Sequence, residues 1–183
     1  MKLPSSSLLL LLFMGALLPA QRSFAAVDMF LKLTDSNGVL IEGESADKQH
    51  AKEIVIQSFS QGLSVAPAPL GGGTGKASFA DLSLAKVLDK STPLLYSYAA
   101  QGKHLQQAVL SVRNSGVTPF EFYRVTLTDV IITSVSTSGA GEQPFETLSL
   151  TFARIEWRYV PQNPDGTAGT PVVTTWNLAA NTP

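Results

Sequence analysis

The residues with the clearest chemical potential form a glycine-rich segment that ends in a lysine. Residues 71–76 are Gly-Gly-Gly-Thr-Gly-Lys, and loops of this composition can cradle phosphate groups with their backbone N–H groups. The Walker phosphate-binding motif also requires glycine five residues before its last glycine and serine or threonine after its lysine. This chain has Leu70 and Ala77 at those positions. The pattern therefore argues against a nucleotide site and predicts a surface loop.

The residues needed for metal or nucleophilic catalysis are scarce. The chain has no cysteine and two histidines, His50 and His104, whereas catalytic zinc usually has three protein ligands. His50 lies among charged residues and is predicted to be a solvated turn residue. His104 follows a predicted helix, where an imidazolium interacts favourably with the helix dipole. Since the chain also lacks a Gly-x-Ser-x-Gly motif, we predict no catalytic, metal-binding or cofactor-binding residue.

The acidic residues leave one enzymatic alternative open. Glu42, Glu44 and Asp47 are close together in sequence, but such a cluster more often forms a solvated surface. Two carboxylates that are distant in sequence can still meet in a fold, as in glycosidases. A hydrolase with buried carboxylates therefore stays as a minor hypothesis.

The first 25 residues are predicted to be a cleaved signal peptide. A positive Lys2 precedes an apolar run over residues 8–18, and Ser23 and Ala25 are small residues suited to signal peptidase. A membrane helix needs about 20 apolar residues, so we expect no stable membrane span after cleavage. We expect Sec export to the periplasm or the exterior of a Gram-negative bacterium. Initiation at Met29 would instead keep the protein cytoplasmic.

The predicted mature chain, residues 26–183, has the size of a single domain. Loss of Lys2 and Arg22 lowers the basic residues from 13 to 11 against 14 acidic ones, a formal charge of −3. A mildly acidic domain without a basic block is a poor nucleic-acid binder, and we expect no nucleic-acid partner.

Alternating hydrophobicity predicts a mainly β fold. Alternating segments begin near Met29, Ile54, Ala108, Tyr123 and Val172, and Asn37-Gly38 predicts a hairpin turn. Residues 62–75 are predicted to be a loop. A helix is predicted after Thr92 as N-cap, with Pro93 at its first position, Gly102 at its end, and Leu94, Leu95, Tyr98 and Ala99 on its packed face.

The segment 147–160 carries the most informative pattern. Its apolar residues fall on even positions up to Phe152 and on odd positions from Ala153. A change of face within one strand indicates a bulge or a bend between sheets. We therefore predict a two-sheet β-barrel with one flanking α-helix.

Several short motifs, in order along the chain, resemble those of the Hcp family of type VI secretion tube proteins. The resemblance covers residues 27–177 and includes Asp47-Lys48, Gln107-Ala108 and Trp176-Asn177. The positions that match the family motifs are Glu44, Ser45, Asp81, Ser83, Asp89, Lys90, Ser91, Thr92, Pro93, Lys103 and His104. The residues that match its extended loop, and that are therefore candidates for assembly contacts, are Gly71, Gly72, Gly73, Gly75 and Lys76.

The resemblance implies a non-enzymatic structural protein. Six copies would form a ring, rings would stack into the inner tube of the secretion system, and the lumen would carry effectors. The implied partners are further copies of the chain and spike, sheath and effector proteins. The predicted signal peptide supports an alternative, because the tube is built in the cytoplasm. In that alternative the chain is a Sec-exported binding module that keeps the barrel without the tube role.

Overall fold

A computed structural model describes residues 26–66, 75–116, 118–139 and 143–183. These residues form a mainly β fold with one helix. In chain order the elements are β1 (Val27–Asp35), β2 (Leu40–Ile41), β3 (Ile54–Ile56), β4 (Ser58–Ser60), β5 (Leu63–Val65), β6 (Ala77–Phe79), β7 (Leu82–Val87), α1 (Thr92–Gln101), β8 (His104–Asn114), β9 (Phe120–Ser138), β10 (Phe145–Tyr159) and β11 (Val172–Asn177). Among these residues, no helix has the length and apolar character needed to cross a membrane.

One antiparallel sheet contains most of the chain. Its main path is β2-β1-β8-β9-β10-β7-β4, with β3 paired to β1 and β11 paired to β10. The alternating residues of the strands meet in one core, because each strand turns every second side chain to the same side. Leu31, Leu110, Leu127 and Leu148 are completely buried there. The alternating patterns that predicted these strands are confirmed.

The three longest strands bend at neighbouring positions. In each of them the buried face changes, between Leu105 and Ala108, between Leu127 and Val130, and between Phe152 and Ile155. Asp129 lies at the bend with a left-handed φ of 55°, which is uncommon for a residue with a side chain. The bend predicted from the sequence of β10 is therefore confirmed, and β8 and β9 share it.

The predicted two-sheet arrangement is roughly consistent with the structure, but the described residues do not close the barrel. β1 and β7 do not pair with each other. Residues 54–60 cross from one to the other instead, since β3 pairs with β1 and β4 pairs with β7. The two short strands are separated at Gln57, whose N–H donates to the carbonyl of Ala85 at 2.8 Å. The result is one nine-stranded sheet and a separate two-stranded sheet, β5-β6.

The two-stranded sheet corrects the predicted loop 62–75. Leu63–Val65 forms β5 and pairs with Ala77–Phe79, so the loop begins later than the sequence indicated. All three residues of β5 are exposed, which explains why their pattern predicted no strand. Phe79 of β6 packs against Phe152, Trp157 and Trp176 and joins the hairpin to the main core.

The single helix has the predicted length but a different cap. Ser91 is the N-cap residue, Thr92 is the first helical residue, and no side chain caps the N-terminus. At the other end Gly102 has a φ of 58°, and its N–H and that of Lys103 donate to carbonyls of the last turn. Leu95 and Tyr98 are buried on the sheet, whereas Leu94 is 39% exposed and does not share the packed face as predicted.

The turn predicted at Asn37-Gly38 is confirmed. Gly38 has a φ of 81°, and its N–H donates to the carbonyl of Asp35 at 3.0 Å. The carboxylate of Asp35 accepts bonds from the N–H groups of Asn37 and Val39. These bonds set the register of β1 and β2.

Candidate assembly site

Ion pairs join the segment before β3 to the segment before α1. Glu42 contacts the ammonium groups of Lys52 at 2.9 Å and Lys90 at 2.7 Å. The hydrogen bond from Lys90 is the largest of the effects that hold the pKa of Glu42 at about 2. Glu44 accepts a hydrogen bond from the backbone N–H of Lys90 at 3.0 Å. Two family-motif positions, Glu44 and Lys90, are therefore in direct contact although 46 residues separate them.

A second cluster lies beneath the start of α1. The side chain of Lys86 is completely buried, and its Nζ lies 2.9 Å from Asp89 and 3.3 Å from Glu146. The same ammonium donates to Oγ1 of Thr92 at 3.1 Å. Ser91 is also buried, and its hydroxyl donates to Asp89. The block 89–92 is therefore held by charged hydrogen bonds to β7, not by a conventional helix cap.

A third cluster fixes the segment 43–53 over the outer side of β1 and β8. The buried guanidinium of Arg113 pairs with Asp47 and lies 3.3 Å from Asp28. The hydrogen bond from Arg113 is the main cause of the low pKa of Asp47, about 2. Phe30 lies beneath this pair, with the guanidinium carbon 4.8 Å from its ring centre. These acids therefore hold a loop in place.

The prediction that His50 is solvated is wrong. Its ring stacks on Phe30 with centroids 4.4 Å apart, and its Nδ1 lies 2.9 Å from Glu53. Only 12% of the side chain is exposed. The surrounding charges that suggested a solvated turn instead cover an aromatic residue on the outer side of the sheet.

The positions after the helix form a separate group at its far end. Nζ of Lys103 lies 4.1 Å from the centre of the Tyr98 ring. His104 lies 2.7 Å from the carboxylate of Asp129, a contact that the sequence did not predict. The side chains of His104 and Asp129 are both more than half exposed. In the described part of the chain no hydroxyl group hydrogen-bonds this imidazole.

The remaining motif positions lie on β7 and nearby loops. Asp81 accepts a hydrogen bond from Thr133, the residue that β9 leaves unpaired at a register shift. Ser83 lies between Ser60 of β4 and Ser149 of β10. Ser45 is buried, and its hydroxyl accepts a bond from the N–H of Asp47. Pro93 occupies the first turn of α1 and is exposed.

Only part of the predicted assembly loop can be placed. Gly71, Gly72 and Gly73 lie outside the described residues. Gly75 lies where a Cβ atom would come within 2.3 Å of the carbonyl oxygen of Ala66, so the two sides of the hairpin approach closely there. Lys76 is exposed at the start of β6.

The predicted positions thus form three groups and not one catalytic centre. One group surrounds the start of α1, one lies at its end, and one follows the β5-β6 hairpin and β7. Within the described residues, no cluster of three or more His, Asp or Glu side chains could hold a metal ion.

Comparison of the sequence with known protein families identifies the family to which these three groups of residues belong. The sequence model of the family described as "Type VI secretion system effector, Hcp" matches residues 30–159. The chain belongs to the Hcp family. The match includes the sheet bend and the two ion clusters at the start of the helix.

Individual Hcp proteins are similar to this chain over almost their whole length. The chain is 41% identical to protein hcp1 of Pseudomonas aeruginosa over 163 residues, which is 85% of this chain and 98% of that protein. The crystal structure of Hcp1 from Salmonella typhimurium is similar with a TM-score of 0.71 and 32% identity, covering 87% of this chain and 99% of that one. A structure titled as a type six secretion system protein has a TM-score of 0.76 at 29% identity, covering 85% and 98%.

Three charged residues of this Hcp chain, which the structure places in buried ion pairs, were not predicted from the sequence. Lys86 continues the buried positions of Leu82 and Leu84, and Glu146 precedes the buried Leu148 in the same alternation. Opposite charges at core-facing positions of two strands are a usable signal for a buried ion pair. Arg113 is similar, but the Asp47 that covers it lies 66 residues away, which periodicity alone does not reveal.

Proposed function

We propose that this chain is a non-enzymatic ring subunit of a type VI secretion tube. The observation that carries the proposal is the family match over residues 30–159, together with coverage of nearly the whole length of protein hcp1. Hcp proteins are structural tube components that form homohexameric rings. The three groups of motif residues support the same reading, because each of them stabilises a loop or a helix end.

The sheet has free strand edges, and the β5-β6 hairpin has exposed apolar residues, that are suited to contacts within a ring. β2 and β4 end its main path, and β11 lies outside that path on β10. Unpaired strand edges offer backbone donors and acceptors to another chain, and a head-to-tail contact that closes gives a ring. Leu63 and Val65 of the hairpin are 54% and 47% exposed and add apolar surface. These features are suited to contacts between copies of the chain.

We assign the stacking of rings to the glycine-rich segment that follows β5. Glycine permits a close backbone approach, which a contact with a neighbouring ring would require. Spike, sheath and effector proteins are the further partners in this proposal, with effectors held in the lumen.

The predicted signal peptide supports a second candidate function. Residues 1–25 lie outside the described part of the chain, while their apolar run and small residues favour Sec export. A copy exported in this way would act as a periplasmic or extracellular binding module with the same sheet. Initiation at Met29 would remove the segment and return the protein to the cytoplasmic tube.

The first experiment is to measure the mass of the 26–183 protein in solution by light scattering. A hexamer would support the ring subunit. A monomer at high concentration would contradict it and favour the binding module. Deletion of residues 1–25 in the producing bacterium then separates the two routes: unchanged killing of rival bacteria would rule out a Sec-specific role.

A further inference from the structure

The outer side of the sheet carries a concentration of arginine that the described acids do not neutralise. In the register of the sheet, Arg158 of β10 lies directly opposite Arg124 of β9. Arg154 lies four residues before Arg158 on β10, on the same side, opposite Thr128 of β9. We call this surface the arginine face. Its members are Arg124, Arg154, Arg158, the neighbouring Lys32 and the acid Glu156, and Glu121 borders it beside Arg124.

The ion pairs of the described residues leave most of this charge uncompensated. Arg124 contacts Glu121 at 2.8 Å, but its Nε is buried without a hydrogen-bond partner. No described carboxylate lies within 4 Å of Arg154 or Arg158. Like charges directly opposite each other on paired strands are destabilising. This pairing is unexpected in a chain whose formal net charge is −1.

The face also has a concave part. A cavity of about 530 Å³ lies beside Arg154, at the place where the three long strands bend. Its lining includes the polar side chains of Gln107, Thr128, Glu156 and Asn177. Guanidinium, amide and hydroxyl groups thus converge on one depression, with donors and acceptors that a peptide backbone can use.

We propose that the arginine face binds a carboxylate-rich segment of a partner protein. Arginine presents a planar fork that pairs with a carboxylate through two hydrogen bonds, and it is less strongly hydrated than lysine. A carboxylate between Arg124 and Arg158 would relieve the repulsion between their guanidinium groups. A nucleic-acid backbone binds through many phosphate contacts along a basic surface, and three arginines in a chain of formal net charge −1 offer few of them. The proposal does not depend on ring formation.

A labelled octaglutamate peptide is the probe, with binding to the full chain measured by fluorescence anisotropy at about 50 mM salt, where screening is weak. We expect Arg158→Glu to weaken binding at least about tenfold, because an attraction becomes a repulsion. Glu156→Gln is expected to strengthen binding, since it removes the acid that lies between Arg154 and Arg158 on β10. Lys48→Glu is the matched control: Lys48 is exposed, is not one of the residues that form the face, and its replacement changes the net charge by the same amount.

Four outcomes of these measurements would overturn the proposal. Equal losses in Arg158→Glu and Lys48→Glu would show attraction by net charge alone. Tighter binding of a single-stranded oligonucleotide through the same arginines would assign the face to nucleic acid. A changed solution mass of Arg158→Glu would make the face an interface between copies of this chain. Absence of peptide binding by the unaltered chain would also overturn it. Arg158→Gln, checked for folding by circular dichroism, separates a lost charge from a disturbed sheet.

Discussion

Nζ of Lys86 lies 3.3 Å from Oε1 of Glu146, at positions of β7 and β10 that face each other in the sheet. Both side chains are completely buried. Among the described residues, neither carboxylate oxygen of Glu146 has a hydrogen-bond partner. Lys86 also contacts Asp89 and Thr92 and so connects the sheet to the start of α1. The pair positions the helix, and it does so with two groups that are costly to bury singly.

Removal of one partner should therefore destabilise the protein strongly. Lys86→Met leaves Glu146 as a buried charge without its counter-ion, and we expect a loss of about 3–5 kcal/mol in the free energy of unfolding. The measurement is urea unfolding followed by circular dichroism under conditions that hold the oligomeric state constant.

The double variant provides the decisive control. Lys86→Met with Glu146→Leu removes both charges, so it should recover much of the stability that the single change loses. Lys48→Met, at an exposed lysine, should change the free energy of unfolding by less than about 0.5 kcal/mol. Additive losses in the double variant would mean that the two buried charges do not stabilise each other.

Asp47 should make stability depend on pH in the acid range. Its folded-state pKa of about 2, lowered chiefly by Arg113, is below the value of about 3.9 expected in the unfolded chain. The unfolded state therefore takes up protons first as pH falls. The stabilisation is fully present above about pH 4 and is lost between about pH 4 and pH 2.

Asp47→Asn tests this contribution. We expect it to cost about 1–2 kcal/mol at pH 7, because a charged hydrogen bond to the buried Arg113 is lost. The loss should shrink as the pH approaches 2. A cost that stays constant from pH 7 to pH 2 would assign the effect to shape and not to charge. Since the pKa of Glu42 is also about 2, the unaltered protein keeps some acid dependence in this variant.

The sequence was most informative where one side of a strand is buried. The alternation around Leu31 and Leu110 predicted strands because burial acts on every second residue, and the shift after Phe152 predicted the bend for the same reason. β5 was missed because all its residues are exposed and no such alternation exists. Barrel closure was overpredicted, since alternation does not report which strands pair at the ends of a sheet.

The candidate site was less predictable, because its contacts join distant segments. The order of the motifs indicated the Hcp family, but not that Glu44 would contact the backbone of Lys90 or that Asp47 would cover Arg113. His50 was mistaken for a solvated residue because Phe30, on which it stacks, lies 20 residues earlier in a strand. Side-chain contacts of this kind depend on the packing of loops over the sheet.

Gly75→Val should disturb the hairpin while leaving the main sheet intact. The new Cβ would meet the carbonyl oxygen of Ala66 at 2.3 Å, too close for any side chain, so the pairing of β5 with β6 must shift. We expect amide hydrogen exchange in residues 63–65 and 77–79 to accelerate at least about tenfold, which is a loss of about 1.4 kcal/mol of local stability. Gly62→Val is the control, because no atom lies within 4 Å of its Cβ position. Unchanged exchange in Gly75→Val would show that the hairpin absorbs the clash.

Replacement of Gly71, Gly72 and Gly73 together by leucine tests whether the glycine-rich segment joins stacked rings. Glycine permits backbone conformations and close approaches that side chains block, so we expect the protein concentration needed for stacking to rise at least about tenfold.

Three measurements separate stacking from ring formation and folding. Electron microscopy of concentrated protein measures the stacks, light scattering measures the single ring, and circular dichroism measures folding. Ring mass and folding should be unchanged, since the sheet and the ion clusters at α1 do not include these residues. Gly139→Leu is the control for added apolar surface, because no atom lies within 4 Å of its Cβ position. If the triple variant unfolds, the segment supports the fold itself. If it stacks normally, ring contacts must come from the exposed strand edges and the apolar residues of β5.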